Sequence, residues 1–246
     1  MAVVSASDHY DALLAAHYLW MSGPFDENVA GQRALFDALG IRADGASRAL
    51  DLGSGPGYQA IALAQLGFHV TALDTSAALL KELEARRGAL PIATCVADIE
   101  RLEGVVTPGF ALAVSMGDTL THLSSRDAVE RLFREVAHLL VPGGTFVLGY
   151  RDLSAEPAGT TRTIPVRSDG DHAMTCTLTY ERDTVVVADT IRTRTPDGWT
   201  EETSSYRKLR LAARWMSDSL KSGGFHERRC DMENGMTVIV AQSGLN

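Results

Sequence analysis

The stretch ALDLGSGPGYQAIALAQLGFHVTALD, from Ala49 to Asp74, decides the fold of this chain. A short apolar run ends in three glycines at alternate positions, Gly53, Gly55 and Gly57, and a second apolar run ends at Asp74. Glycine has no Cβ atom, so the backbone can turn tightly there and approach a ligand closely. The stretch therefore predicts a strand, a ligand-binding turn, a helix and a second strand.

The glycine spacing departs from the fingerprint of dinucleotide-binding folds. In that fingerprint a further glycine follows the second by three residues, where it lets the helix pack closely against the strand. Tyr58 occupies that position here, and Asp51 stands before the glycines, where the charge of a pyrophosphate would be unwelcome. The loop therefore favours a ligand with a cationic end and no pyrophosphate.

Strand and helix signals alternate between residues 48 and 152. Short apolar runs that end at Gly or Asp are typical of buried parallel strands. Such runs predict strands at 48–53, 68–74, 91–98, 110–118 and 144–152. Helical patterns lie between them at 58–66, 76–87 and 125–140. This alternation predicts a doubly wound α/β fold with a mostly parallel sheet.

The pattern changes after Asp152. Thr- and Val-rich segments with partial alternation, which is typical of antiparallel strands, follow at 172–183, 184–195 and 199–211. A helix at 212–222 and strands at 226–232 and 236–242 are predicted next. We expect one domain with a core at 41–152, a three-stranded antiparallel insertion within 160–210, and a closing segment at 211–246 that completes a seven-stranded sheet.

Three acidic residues stand at or near the ends of the first three predicted strands, Asp51, Asp74 and Asp98. The carboxyl ends of parallel strands meet at one edge of the sheet, where open α/β folds bind ligands. Asp74 follows the first glycine by about 20 residues, the position from which a carboxylate accepts hydrogen bonds from ribose hydroxyls. Each residue alone could belong to a turn or a helix cap, but three at one edge favour a nucleoside site.

The composition limits the classes of partner. With 31 acidic and 23 basic residues the net charge is −8, which argues against nucleic acid or anionic membranes as partners. Cys95, Cys176 and Cys230 are far apart and form no metal-ligand pattern, as in a reducing compartment. The opening segment is too polar for a signal peptide, and no apolar run approaches membrane length. We expect a soluble cytoplasmic protein without a metal site.

Residues 48–150 resemble a class I S-adenosylmethionine-dependent methyltransferase. The resemblance rests on four motifs in order, LDLGSGPG (50–57), VTALDTS (70–76), VADIERL (96–102) and LLVPGGTFVL (139–148). It implies S-adenosyl-L-methionine as the cofactor and S-adenosyl-L-homocysteine as its product. The order of the remaining segments is similar to that in small-molecule methyltransferases of the glycine N-methyltransferase type.

The resemblance also implies roles for residues at the strand ends. The glycine loop would leave space for the methionine portion of the cofactor. Asp74 would hold the ribose hydroxyls, and Met116 would lie under the sulfonium. Asp98 and Ile99 would contact the adenine. The complete implied cofactor set is Tyr18, Asp51, Gly53, Ser54, Gly55, Asp74, Thr75, Asp98, Ile99 and Met116.

One expected cofactor contact is missing from the sequence. Glycine N-methyltransferase holds the cofactor carboxylate with an arginine in the segment that corresponds to residues 25–32, and this chain has none there. Asn28 or Gln32 could take its place.

Residues 1–40 are predicted to form a helical lid that carries several aromatic side chains. Tyr10, Tyr18 and Trp20 either pack the helix on the sheet or close over the sulfonium and the acceptor, since electron-rich rings favour a cation. On the second interpretation Tyr10 is catalytic, Tyr18 contacts the cofactor and Trp20 contacts the acceptor.

His122 and Arg151 complete the candidate site. His122 follows the fourth strand and is the candidate general base, which is needed only if the nucleophile arrives protonated. The alternative is that His122 packs against the next helix or caps it. Arg151 follows the fifth strand, and the resemblance implies that it grips a carboxylate of the acceptor. A guanidinium suits that task because two parallel hydrogen bonds fix the carboxylate. The alternative is a salt bridge to Asp152 or another surface carboxylate.

The sequence thus predicts transfer of a methyl group, in line, to a nitrogen or oxygen of a small-molecule acceptor. A homodimer is compatible with it. Two other classes remain open, namely a protein that binds S-adenosylmethionine for a regulatory role or another reaction, and a nicotinamide-dependent oxidoreductase. Tyr58 argues against the last, because it breaks the dinucleotide fingerprint.

Overall fold

The computed structural model describes residues 3–45, 47–233 and 235–244. Its strands in chain order are β1 (Arg48–Leu52), β2 (His69–Asp74), β3 (Ile92–Val96), β4 (Phe110–Ser115), β5 (Leu140–Tyr150), β6 (Thr161–Ser168), β7 (His172–Tyr180), β8 (Thr184–Thr195), β9 (Gly198–Leu209), β10 (Phe225–Glu233) and β11 (Met236–Ser243). Its helices are α1 (Ala6–His9), α2 (Ala15–Ser22), α3 (Phe25–Ala38), α4 (Tyr58–Gln65), α5 (Ala77–Arg86), α6 (Arg126–Leu139) and α7 (Ala213–Ser222). A π-helical turn at Tyr10–Leu14 joins α1 to α2, and a 3₁₀ turn spans Thr119–His122.

The main sheet has seven strands in the order β10-β11-β5-β4-β1-β2-β3. Strands β1 to β5 pair in parallel, whereas β11 is antiparallel to both β5 and β10. The predicted doubly wound, mostly parallel sheet is therefore confirmed. Strand order reverses between β1 and β4, which is where folds of this kind bind ligands.

Alternate side chains of the main sheet enter two apolar cores, one on each face. Leu50, Phe146 and Leu148 pack with residues of α6 on one side, while Ala49 and Val147 pack with α4 on the other. The apolar side of α6 is the one that its periodicity predicts, and the Ser125 hydroxyl caps the helix by accepting from the Ala128 N–H at 3.1 Å. This packing holds the carboxyl ends of β1, β2 and β4 at one rigid edge.

The antiparallel insertion has one strand more than expected, in the order β6-β7-β8-β9. Strand β6 was not predicted, because every one of its residues is exposed and no alternation marks a buried side. Its apolar residues Ile164 and Val166 face solvent.

The N-terminal helices lie between the two sheets. Ser5 caps α1 by accepting from the Asp8 N–H at 3.1 Å, which fixes the start of the helix at Ala6. Leu13 and Leu14 are buried against the insertion, whereas Tyr18 packs against the core of the main sheet. None of the helices in the described ranges has the length and apolar character needed to cross a membrane.

Candidate active site

A cavity of about 500 Å³ lies at the carboxyl edge of the main sheet, beneath α1 and beside β9. Its walls bring together eleven of the fourteen predicted site residues from five separate segments. These are Tyr10, Tyr18, Gly53, Ser54, Gly55, Asp74, Thr75, Asp98, Ile99, Met116 and His122.

The glycine loop is packed against the turn that carries His122. Gly53 has a φ of +77°, and a Cβ atom there would lie 2.3 Å from Thr119 Cγ2. A Cβ on Gly57 would similarly meet Leu83 of α5 at 2.2 Å. By contrast, nothing lies within 4 Å of the position that a Cβ on Gly55 would take. The loop therefore has tight contacts at its two ends and open space at its centre, where it borders the cavity.

Asp74 holds the centre of this loop. Its Oδ2 accepts from the Gly55 N–H at 2.7 Å, and its Oδ1 accepts from the Ser76 N–H at 2.8 Å. Burial raises the pKa of Asp74, and these backbone donors oppose the rise. A carboxylate has about four acceptor sites, so Asp74 can also accept from a ligand hydroxyl.

Asp51 lies beneath the loop rather than on the cavity wall. Its side chain is buried, and neither oxygen has a hydrogen-bond partner of normal geometry in the described ranges. Burial, and then the charge of Asp74, raise the pKa of Asp51 to about 8, although the Ala60 N–H opposes the rise. Asp51 does not line the cavity, and its expected contact with the cofactor stays a prediction.

The end of the cavity next to β3 is closed by a polar contact. Asp98 accepts from the Glu100 N–H at 2.9 Å, and Ile99 is buried beside it. Both Glu100 oxygens bind Ser124, one at its backbone N–H (2.5 Å) and one at its hydroxyl (2.6 Å). This contact joins the segment after β3 to the turn that carries His122.

Aromatic rings form the opposite wall. The ring of Tyr10 lies 5.8 Å from that of His122 and 6.0 Å from that of Tyr18. Behind them, Tyr206 meets His122 edge-on at 5.4 Å. Tyr10 opens the π-helical turn, and such turns are frequent at functional sites.

The tyrosine hydroxyls and the imidazole of this aromatic wall are uncharged at neutral pH. Burial, and then the neighbouring phenol of Tyr18, raise the pKa of Tyr10 well above its usual value, and burial raises the pKa of Tyr18 to about 12. Burial, and then the charge of Lys208, lower the pKa of His122 to about 3. The His122 Nε2 atom is buried and has no hydrogen-bond partner among the residues described. A neutral imidazole with an unused nitrogen therefore borders the cavity.

Asp118 forms ion pairs with two cationic side chains at the rim of the site. It accepts from Arg151 Nη1 at 2.6 Å, from the Arg151 N–H at 2.7 Å and from Lys208 Nζ at 2.9 Å. Burial alone would raise the pKa of Asp118, but Lys208 and Arg151 lower it well below its usual range. Lys208 lines the cavity, whereas Arg151 is more than half exposed and does not. The alternative of a salt bridge holds for Arg151, with a buried carboxylate in place of Asp152.

Trp20 is also absent from the cavity wall. Its indole N–H donates to Asp169, and its ring packs against His172 at 5.3 Å. Asp169 lies in the turn between β6 and β7, and His172 is the first residue of β7. Trp20 therefore fastens α2 to the insertion, which is the packing role weighed for it in the sequence. No cluster of three or more potential metal ligands occurs in the part of the chain that the structure describes.

The comparisons with known proteins agree with this geometry. Residues 49–144 match the family model described as a methyltransferase domain. The resemblance drawn from the four motifs is thereby confirmed.

The similar proteins cover different parts of the chain. Glycine/sarcosine N-methyltransferase of Aphanothece halophytica is 28% identical over 114 residues, which are 46% of this chain and 43% of that protein. The chain therefore spans less than half the length of this curated relative.

Solved structures are similar to nearly the whole chain. The CcbJ methyltransferase of Streptomyces caelestis has a TM-score of 0.75 at 21% identity, over 91% of this chain and 98% of its own. CalS10 of Micromonospora echinaspora, an amino pentose methyltransferase with bound S-adenosylmethionine, has a TM-score of 0.70 at 17% identity, over 98% and 99%. At these identities the likeness shows the fold, including the insertion. The homodimer and the cytoplasmic location stay predictions.

Three residues of the candidate site were missed in the sequence, Asp118, Lys208 and Tyr206. Asp118 has a φ of +76°, which is uncommon outside glycine, and nothing in the segment MGDTLTHL shows that its carboxylate turns inward. Lys208 and Tyr206 lie on β9, where alternation predicted a strand. Only the docking of β9 against the main sheet shows which of its residues face the cavity.

Proposed function

We propose that this chain is an S-adenosylmethionine-dependent methyltransferase that transfers a methyl group to a nitrogen or oxygen of a small-molecule acceptor. One observation carries the proposal. A single cavity joins the glycine loop, Asp74 and Asp98 to a neutral aromatic wall that includes Tyr10 and His122. The S-adenosylmethionine in the structure of CalS10 supports this choice of cofactor.

The residues present fit that cofactor. A cavity of about 500 Å³ is within the size range of small-molecule and cofactor sites. Ser54 and His122 both line it, and Ser54 Oγ and His122 Nε2 are buried polar atoms without a partner in the described chain. Because buried polar groups are normally hydrogen-bonded, these two atoms point to a polar ligand. Asp74 would hold the ribose hydroxyls, and Asp98 with Ile99 would hold the adenine.

The cofactor supplies a methyl group that its sulfonium already makes electrophilic. The work left to the protein is to align the nucleophile with that methyl group and to exclude water. Orientation of two bound reactants can lower a barrier by about 7–11 kcal/mol. The rings of Tyr10 and Tyr18 favour a cation by about 0.5–2 kcal/mol each without bringing a counter-charge that would be alkylated.

His122 is better suited to orient the nucleophile than to remove its proton. A general base works best when its pKa is near the working pH, and the pKa of His122 is lowered to about 3. Its free Nε2 can instead accept a hydrogen bond from the N–H or O–H of the acceptor, which turns a lone pair toward the methyl group. Burial in the same cavity favours the neutral form of an amine. The acceptor amine would therefore lose its proton on entry to the site.

Calorimetric titration tests the cofactor assignment. The wild-type protein should bind S-adenosylmethionine and S-adenosylhomocysteine but not NAD. Asp74→Asn keeps an oxygen for the Gly55 N–H but weakens the bonds to the ribose, so affinity should fall by about 1.5 kcal/mol or more. Asp37→Asn, which changes a surface carboxylate paired with Arg42, is the matched control. Binding of NAD, or equal affinity in the Asp74 and Asp37 variants, would refute the assignment.

A further inference from the structure

The cavity offers no free cation for the carboxylate of an amino-acid group. Two cationic side chains line it among the residues described, Arg207 and Lys208. Arg207 is paired with Glu181 at 3.0 Å, and Lys208 is paired with Asp118 at 2.9 Å. Any carboxylate bound at the glycine loop must therefore be held by other donors.

The two replacements considered from the sequence are not placed for this task. The Asn28 side-chain amide donates to the carbonyl oxygens of Ser22 and Pro24, at 2.9 and 3.0 Å. Gln32 does not line the cavity. Both side chains belong to the packing of α3, so the donors must be sought on the loop itself and on the helix that follows it.

Two residues that line this end of the cavity carry hydroxyl groups without partners. Ser54 is 2% exposed and Tyr58 is 7% exposed, and both border the cavity. Neither Ser54 Oγ nor Tyr58 OH has a hydrogen-bond partner in the ranges that the structure describes. Ser22 lies near the Tyr58 hydroxyl but does not meet hydrogen-bond geometry. Leaving two buried hydroxyl groups unpaired is costly, so a ligand atom that accepts from both would stabilise the site.

The start of α4 adds backbone donors at the same place, although the Ala60 N–H already interacts with Asp51. This helix has eight residues, begins directly after Gly57 and has no side-chain cap. The first N–H groups of a helix have no intrahelical acceptor, and together with the helix dipole they favour an anion. Gln59, in the first turn, also lines the cavity.

The lid supplies the remaining hydroxyl. Tyr18 lies on α2, borders the cavity and packs in the same apolar cluster as Tyr58. Its burial raises the pKa to about 12, so it remains a hydrogen-bond donor at any ordinary pH.

We propose that the hydroxyls of Tyr18, Ser54 and Tyr58, with the N terminus of α4, bind the carboxylate of the cofactor's methionyl group. This proposal rests on the proposed function, and it identifies the donors that replace the arginine expected within residues 25–32. The carboxylate accepts hydrogen bonds from neutral donors only. Because Tyr18 belongs to α2 while the other donors belong to the core, the same carboxylate also holds the N-terminal helices over the bound cofactor.

The test compares two ligands that differ by the carboxylate, S-adenosylmethionine and its decarboxylated analogue, by calorimetric titration. Tyr58→Phe and Ser54→Ala should each lower the affinity for S-adenosylmethionine by about tenfold or more, which is the effect of losing one hydrogen bond to a charged group. Both variants should leave the affinity for the decarboxylated analogue unchanged. Tyr150→Phe removes a hydroxyl from another buried tyrosine that does not line the cavity, and it should affect neither ligand.

The possible failures can be told apart. If the wild-type protein binds neither ligand, the proposed function itself falls. If it binds both but Tyr58→Phe and Ser54→Ala weaken the two ligands equally, or weaken neither, the carboxylate is held elsewhere and this inference is wrong. Thermal unfolding of each variant, measured beside the titrations, shows whether equal losses come from a damaged loop.

Discussion

Gly53→Ala should destabilise the protein because Gly53 meets two demands that only glycine satisfies. Its φ of +77° costs an alanine about 1–2 kcal/mol. The added Cβ atom would also lie 2.3 Å from Thr119 Cγ2 and 2.5 Å from Thr119 Oγ1, and relief of such overpacking costs about 1–3 kcal/mol. The free energy of unfolding should therefore fall by about 2–5 kcal/mol, measured by urea denaturation.

Gly104→Ala is the control for the backbone cost alone. Gly104 has a φ of +74°, and nothing lies within 4 Å of its would-be Cβ atom, so its loss should be only about 1–2 kcal/mol. In the Gly53 variant, Thr119→Ala removes the two atoms in closest contact and should restore part of the stability. Equal losses for the two glycine variants, without recovery in the double variant, would refute the close contact between the loop and the turn that carries His122.

Three further predictions concern the charged and titratable groups of the site. Burial lowers the pKa of His122 to about 3, so below about pH 6.5 the unfolded state binds more protons than the folded state. The free energy of unfolding of the wild-type protein, measured by urea titration, should therefore fall between about pH 7 and pH 5. The fall should be less steep in His122→Gln. Asp118→Asn leaves Lys208 beside a neutral amide and should lower the free energy of unfolding by about 3 kcal/mol; a loss within error of zero would show that the pair is not buried. Arg151→Lys should change neither stability by more than about 1 kcal/mol nor the KM of the acceptor, because Arg151 is exposed and off the cavity wall, whereas a raised KM would return it to substrate binding.

The parts of the fold predicted from the sequence are those with strong local signals. Runs that end at Gly53 and Asp74 marked β1 and β2, and one-sided periodicity marked α6, because their burial is imposed by the sheet. Strand β6 carries no such signal, since all of its residues are exposed and its partner strand determines its conformation. The hydrogen bonds to a neighbouring strand determine where an exposed strand of this kind forms, so its own residues do not predict it.

The site shows the same division. The residues of the glycine loop were found because their spacing is local, and eleven predicted residues meet in one cavity. Arg151 and Lys208 could not be assigned, because both compete for Asp118, which is 33 residues from one and 90 from the other. Which cation faces the cavity depends on how β9 docks, and the chain order does not contain that information.

Transfer of a labelled methyl group tests the central claim most directly. The wild-type protein is incubated with S-adenosylmethionine that carries a trideuterated methyl group and with a pool of small amines and alcohols, and the mixture is analysed by mass spectrometry. We predict that one pool member gains a single trideuterated methyl group, that S-adenosylhomocysteine forms in equal amount, and that Asp74→Asn sharply reduces both at low cofactor concentration. Cofactor that binds but is recovered intact, with every amine and alcohol unlabelled, would contradict methyl transfer and leave a protein that only binds S-adenosylmethionine.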